Sequence, residues 1–259
     1  MSLDCTLLAL CYGDYPDLHA RCVSSLLATT PDTVPLRLWL NEVGKASLAS
    51  LSAVLGADVP DPAGMQGGVG LSCRGREVRL YSRGNANSLK YPAMREMLRD
   101  PAVSTEWVCW VDDDTWFSPG SPWWSVAGKL APDCDYMGEQ WVAAHDASRQ
   151  TFVKGQPWYA GVDVRVPWRG GQTVPGSVFF TGGLWFARTA NLLKWDWPPT
   201  SLRHNGGDTL LGDLASQQKW RRKPIPTERD ARHRGSGVHV NNAKRRGYSE
   251  PPVGSSKAR

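Results

Sequence analysis

The chain has no apolar run approaching the roughly 20 residues that a membrane-spanning helix requires, which argues against an integral membrane protein. No basic stretch precedes the apolar run Thr6–Cys11, so the opening Met-Ser-Leu-Asp is not read as a signal peptide. The six cysteines (Cys5, Cys11, Cys22, Cys73, Cys109 and Cys134) include no C-x-x-C pair, and several lie in apolar runs. Zinc ribbons and disulfide frameworks are thereby disfavoured, and buried, reduced thiols of a cytoplasmic protein are expected. A glycine-rich phosphate loop is also missing. Tyr12-Gly-Asp-Tyr-Pro is a poor one, and Gly64-Met-Gln-Gly-Gly-Val-Gly70 has no apolar strand leading into it. What is present is a globular composition, 41% hydrophobic and 21% charged, which excludes general disorder. At 259 residues the chain can bury a sizeable core unaided, and its 19 prolines and 26 glycines point to many loops.

The net charge of +5 is unevenly placed. Lys219 to Arg259 holds twelve Lys/Arg against three acids, a net +9, which leaves the preceding residues at −4. An acidic body with a basic end suggests contact with an anion on the C-terminal side. A single domain over 1–245 with a basic tail over 246–259 is the simplest partition.

Thr6–Cys11 is apolar without alternation, as in a strand covered on both faces of a parallel sheet. Leu18, Cys22, Val23, Leu26 and Leu27 then recur at helical spacing. Leu36–Leu40 reads as a second strand, and Leu48, Leu51, Val54 and Leu55 as a second helix. Strand, helix, strand, helix opens a doubly wound α/β sheet. Residues 60–76 read as a long loop, and Val78–Tyr81 as a strand. A helix is expected from about Pro92 to Asp100-Pro101.

The most apolar strand, Trp107-Val-Cys-Trp-Val111, runs directly into Asp112-Asp113-Asp114. Like charges this close raise one another's pKa unless a cation neutralises them. The carboxyl ends of strands in an open α/β sheet are where ligands bind. Mg²⁺ or Mn²⁺ accepts such oxygen ligands and bridges them to a diphosphate. An acidic turn capping the next helix is the plain alternative, but Trp116-Phe117 following so apolar a strand weighs against it.

With these residues in view, the chain resembles the nucleotide-sugar-dependent glycosyltransferases of the GT-A fold, over roughly residues 4 to 242. The opening T-L-L-A-L-C-Y-G-D-Y is similar to the start of that family's donor-binding half, and D-D-D to its D-x-D motif. Phe179-Phe-Thr-Gly-Gly-Leu-Trp-Phe-Ala-Arg188 resembles the strand-loop-strand that meets the sugar and the acceptor. His204-Asn-Gly-Gly-Asp208 resembles the helix start carrying the catalytic carboxylate of inverting members. Gly237-Val-His239 resembles the late histidine of the metal site.

The resemblance implies an α/β protein of GT-A type, with a Rossmann-like, mostly parallel mixed sheet flanked by helices. It implies Asp112, Asp114 and His239 as ligands of Mn²⁺ (or Mg²⁺), and Asp208 as the base. Tyr12, Asp14, Asn41, Lys90, Asp112 and Asp113 would contact the donor, a UDP-sugar being favoured. Gly182, Gly183, Trp185 and His204 would line the sugar and acceptor site.

Each assignment has a plainer alternative. A first-turn carboxylate such as Asp208 suits a helix dipole without any catalysis. Gly206-Gly207 favours the catalytic reading by admitting a substrate close to the backbone. His239, between two valines, is as well explained by a core hydrogen bond until the resemblance is considered. Lys90 and Arg95 suit a solvated helix edge, and Asp213 a solvated surface. Most of the thirteen tryptophans are expected in the core, while Trp123, Trp124, Trp158, Trp168 and Trp185 lie in loops suited to stacking on a sugar or a base.

The resemblance implies a hydroxyl acceptor, which would sit on a polysaccharide, a small molecule or DNA. The DNA case resembles phage enzymes acting on hydroxymethylated pyrimidines. A nucleotidyltransferase and a non-catalytic sugar- or nucleic-acid-binding module are the readings from other classes.

Overall fold

The alternation of side chains along the strands divides the interior into two cores, one on each face of the sheet. The computed structural model describes residues 3–65, 67–84, 88–203 and 206–225, with the backbone of 238–240. The partition at 245, the basic tail and His204 therefore lie outside the described residues.

Strand β1 (Cys5–Tyr12) is the middle of the architecture. Parallel β2 (Leu36–Asn41) pairs along one edge and parallel β5 (Trp107–Asp112) along the other. Being covered on both faces is what makes all three predominantly apolar, and the exception in β2, the buried Arg37, is paired with Glu77 at 2.9 Å. Leu7, Ala9, Cys11, Leu38 and Cys109 point into one core with helices α1 (Pro16–Thr29) and α2 (Lys45–Leu55). Leu8, Leu10, Trp39, Val108 and Trp110 point into the other core with α3 (Lys90–Leu98). Six cysteines are free and buried, as expected.

Strands β3 (Gly67–Cys73) and β4 (Arg76–Ser82) complete one side of the sheet. The expected loop over 60–76 is thus corrected, because β3 pairs antiparallel with β4 through a turn at Arg74 and Gly75, both at positive φ. Glycines concealed this edge strand. One of them, Gly68, leaves space that the Arg79 side chain fills, since a Cβ there would lie 2.3 Å from Arg79 Nε. Helix α3 begins at Lys90, two residues before the proline expected to start it.

After β5 come a short β6 (Thr115–Phe117), α4 (Trp123–Leu130), β7 (Tyr136–Ala144), α5 (Ala147–Lys154) and β8 (Arg165–Pro167). They are followed by β9 (Thr173–Arg188), α6 (Thr189–Lys194), α7 (Gly207–Gln217), β10 (Arg222–Pro224) and β11 (Val238–Val240). The nine-stranded sheet has the order β10-β7-β9-β5-β1-β2-β4-β3, with β8 on β9. Its centre, β5-β1-β2-β4, is parallel, and β9 runs antiparallel to β5 and β7. A separate pair, β6 and β11, stands opposite the end of β5. No helix among the described residues is long and apolar enough to cross a membrane.

Candidate functional site

Because β1, β2, β4 and β5 are parallel, Tyr12, Asn41, Ser82 and Asp112 finish on one edge of the sheet. The three aspartates leave that edge in different directions. Successive residues of an extended chain face opposite ways. Asp112 turns toward α3, where Lys90 Nζ lies 2.8 Å from its Oδ1, and the Trp110 indole N–H donates to the same oxygen at 2.8 Å. Asp113 turns the other way and is buried. Its Oδ2 accepts the Tyr12 backbone N–H at 2.9 Å and lies 3.2 Å from His19 Nε2, so it ties β1 and α1 to the end of β5. Asp114, half-buried, occupies the turn into β6.

Lys90, at the start of α3, is the electrostatic centre of the group. Burial works against its ammonium, yet the carboxylates of Asp112 and then Asp208 outweigh it and hold Lys90 above its ordinary pKa. Its Nζ also lies 5.5 Å from the Trp110 ring centre and 5.7 Å from that of Tyr91.

The Tyr91 hydroxyl donates to Asp208 Oδ1 at 3.2 Å. Burial, aided by the charge of Asp208 and opposed by Lys90, raises the phenol well above its usual range, so it stays a donor. One α3 turn therefore reaches two carboxylates from distant parts of the chain.

Asp208 lies in the first turn of α7, as expected. The Gly-Gly before it has a different cause from substrate access. Gly206 takes φ +79°, and a Cβ on Gly207 would fall 2.0 Å from Tyr91 Cζ. The space the second glycine leaves is occupied by the tyrosine that holds Asp208.

Phe179–Arg188 is one continuous strand rather than strand-loop-strand. Gly138 pairs with Trp185 and Gln140 with Phe180, so the segment Thr181–Leu184 bulges opposite Glu139 alone. The bulge brings Gly182 and Gly183 beside the aspartates, with Thr115 Oγ1 donating to the Gly183 carbonyl at 2.9 Å. Glu139 is a buried carboxylate at this edge that the sequence reading missed. Its Oε2 accepts from Thr181 Oγ1 at 3.4 Å. The signal was available: like the aspartates, it ends the inner part of a buried strand, here Tyr136–Gly138.

The remaining expected donor contacts form the frame of the edge. Asp14 Oδ1 accepts the Ser47 N–H at 2.9 Å and so caps α2 from outside that helix. A Cβ on Gly44 would lie 2.4 Å from Asp14 Cγ. Asn41 is buried; its Oδ1 accepts the Ser88 N–H at 2.9 Å and its carbonyl the Gly13 N–H at 3.0 Å.

Trp185 corrects the stacking expectation. It is 1% exposed and stacks beneath Trp110 at 6.5 Å, forming the floor that supports Asp112. Trp123, Trp124 and Trp158 are buried too, whereas Trp168 and Trp141 are exposed. Arg95 points away to Asp196 and the Pro198 carbonyl.

Asp213 is also corrected. It is buried, 2.8 Å from Arg149 Nη2 and 3.3 Å from His145 Nε2. Burial raises the Asp213 pKa and lowers that of His145.

His239 pairs by its backbone with Trp116, two residues after Asp114; its side chain lies outside the described residues. Among the described residues no three His, Cys, Asp or Glu form a group that could hold a metal. Asp112 and Asp114 bring carboxylate oxygens to the end of β5, a kind of donor that suits Mn²⁺ or Mg²⁺, and the β11 backbone at His239 pairs two residues beyond them.

Neither a family model nor a curated protein matches the chain by sequence. Solved structures do match by shape. The mannosyltransferase PcManGT from Pyrobaculum calidifontis, in complex with GDP-Man and Mn²⁺, aligns with a TM-score of 0.56 at 14% identity, covering 91% of this chain and 59% of that one. S. aureus TarS 1-349 in complex with UDP-GlcNAc aligns with a TM-score of 0.50 at 10% identity, covering 86% of this chain and 56% of that one. The chain spans less than two thirds of the length of either. The likeness is one of fold: an α/β, GT-A type architecture with a Rossmann-like mixed sheet flanked by helices.

Proposed function

We propose that the chain transfers a sugar from a nucleoside-diphosphate sugar to a hydroxyl acceptor, with inversion. The observation that carries this reading is the convergence of Lys90, Tyr91, Asp112 and Asp208 at the carboxyl edge of a GT-A type sheet. Two features support it beyond fold: a carboxylate pair for a cation, and a separate carboxylate held by a phenol.

In this reading Asp112, Asp114 and His239 would hold Mn²⁺ or Mg²⁺, whose charge would offset that of the departing diphosphate. Lys90 turns its ammonium from Asp112 toward the donor phosphates. Tyr12, Asp14 and Asn41 frame the nucleoside, with Asp113 fixing the backbone on which they stand. Gly182 and Gly183 present backbone to the sugar, with His204 nearby in sequence to Asp208. Asp208 removes the proton from the attacking hydroxyl, its orientation set by Tyr91. A UDP-sugar is the favoured donor, and the acceptor hydroxyl belongs to a polysaccharide, a small molecule or a hydroxymethylated pyrimidine in DNA, the last in the host cytoplasm if the protein is phage-encoded.

The test is thermal unfolding with UDP, GDP, CMP and dTDP, each with and without Mn²⁺, on the wild type and on Asp114→Ala. A nucleotide at a hundred times its Kd stabilises by about 2.7 kcal/mol. A shift for one diphosphate that requires Mn²⁺ and is lost in the variant is expected. No shift with any nucleotide refutes the reading and leaves the non-catalytic binding module in its place.

A further inference from the structure

A cleft of about 700 Å³ opens beside α3, walled by β3, β4 and the chain approaching Arg203. Five guanidiniums line it: Arg79 and Arg83 from β4 and its end, Arg95 on α3, Arg99 one turn further at the cap of that helix, and Arg203. Three carboxylates answer them. Asp100 lies 3.2 Å from Arg79 and Glu96 2.6 Å from Arg83, while Asp196 is shared between Arg95 (2.7 Å) and Arg99. Five positive groups against three negative leave this cleft with an excess of positive charge. The excess stands out in a chain whose first 218 residues are net negative. Arg203 is exposed, and no carboxylate among the described residues lies in ion-pair range of it.

The cleft adjoins the candidate catalytic edge. The Tyr91 N–H donates to the Arg203 carbonyl at 3.3 Å, and the same tyrosine holds Asp208. An anionic chain lying in the cleft would thus run past the residue that positions the base.

The lining also narrows the ligand. Arginine forks match phosphate oxygens in pairs, and contacts of that kind position a backbone without reading bases. The aromatic ring in the lining, Tyr81, is buried, with its hydroxyl donating to Asp100 at 2.6 Å, so it presents no stacking face for a base. A second observation is the net +9 between Lys219 and Arg259, which favours an extended polyanion over a single small anion.

The geometry points to a phosphodiester strand in this cleft: the acceptor is a nucleic acid, gripped by its backbone here while its reacting hydroxyl lies at Asp208. This rests on the sugar-transfer reading and names its acceptor class.

The experiment measures fluorescence anisotropy of labelled 20-nucleotide DNA and RNA strands, without donor, across a salt series. The wild type is compared with the double variant Arg83→Gln/Arg203→Gln. Both side chains are exposed, so folding is expected to persist, as the unfolding midpoint reports. Neither belongs to the donor or catalytic group, so the Mn²⁺-dependent nucleotide shift should be unchanged. Expected is at least a tenfold weaker affinity at low salt and a log K–log salt slope shallower by about 0.7 per lost contact. Tighter binding of the DNA or the RNA strand identifies the source. Absent wild-type binding, or equal binding by the variant, overturns the proposal. So does a heparin oligosaccharide that binds as tightly through the same two arginines. Loss of the nucleotide shift in the wild type counts instead against the donor reading, because the strand is measured without nucleotide.

Discussion

The Tyr91 hydroxyl donates to Asp208 Oδ1 at 3.2 Å, joining residues 117 positions apart. Tyr91 is buried, packs edge-on against Trp197 at 6.4 Å, and fills the space a Cβ on Gly207 would take. Its position, and with it the direction of the Asp208 carboxylate, is fixed by packing against Trp197 and Gly207.

That packing makes Gly207→Ala disruptive. The new methyl meets the ring at 2.0 Å, so a destabilisation of about 1–3 kcal/mol is expected from overpacking. In a double-mutant cycle with Tyr91→Ala the two losses should fall short of additive. Urea unfolding of the four proteins measures it, and strict additivity would show that the two residues do not meet.

Asp208→Asn retains the size of the side chain and removes its basicity. Turnover with a competent acceptor is expected to fall by about 10²–10⁴-fold, the range of general-base catalysis. Nucleotide binding, read by the thermal shift, should remain. Wild-type turnover in the variant would remove Asp208 from the chemistry.

Lys90→Ala leaves the carboxylates of Asp112 and Asp208 without the ammonium between them. A charge-assisted contact is worth about 1.5–3 kcal/mol, so nucleotide affinity should drop roughly ten- to a hundredfold. Calorimetric titration with the nucleotide and Mn²⁺ measures this, and an unchanged Kd would place Lys90 outside the donor site.

Asp113 and Asp114 should part company on mutation. Asp113→Ala strands the Tyr12 N–H and His19 in the interior, at about 1–3 kcal/mol for each group left unsatisfied. Asp114→Ala should abolish the metal-dependent shift. Guanidinium melts without ligand measure the first loss, and thermal unfolding with nucleotide and Mn²⁺ the second.

Burial holds His145 below the ordinary imidazole pKa. Below about pH 6.5 the unfolded chain therefore binds a proton that the folded protein resists. The sign follows: this contribution to stability is complete above the unfolded value and is lost as pH falls through it. The urea midpoint should decline between about pH 7.5 and 5.5, and His145→Gln should flatten that decline; an identical slope in the variant would exclude the histidine as its source.

Periodicity carried most of the fold. Apolar runs read correctly as strands covered on both faces, because covering both sides leaves few polar positions, such as the buried Arg37 of β2. Helical spacing located α1 and α2, and the end of an apolar strand located the carboxylates. Glycines hid β3, since a strand without side chains shows no alternation. The bulge in β9 was hidden too, because a register shift belongs to the pairing rather than to either strand.

The sequence by itself determined that three carboxylates follow an apolar strand and that an acid opens a late helix. Only the tertiary structure decided that Asp112 and Asp113 face apart, and which helix each meets. Asp112 found Lys90 on α3, and Asp113 found His19 on α1. The same holds for Asp213, which reads as a surface acid until α7 turns it toward His145 and Arg149. Trp185, read as a stacking residue, lies beneath Trp110. The physical reason is common to all of them: local pattern fixes which side of an element a residue occupies, whereas burial and partners depend on contacts between elements far apart in the chain.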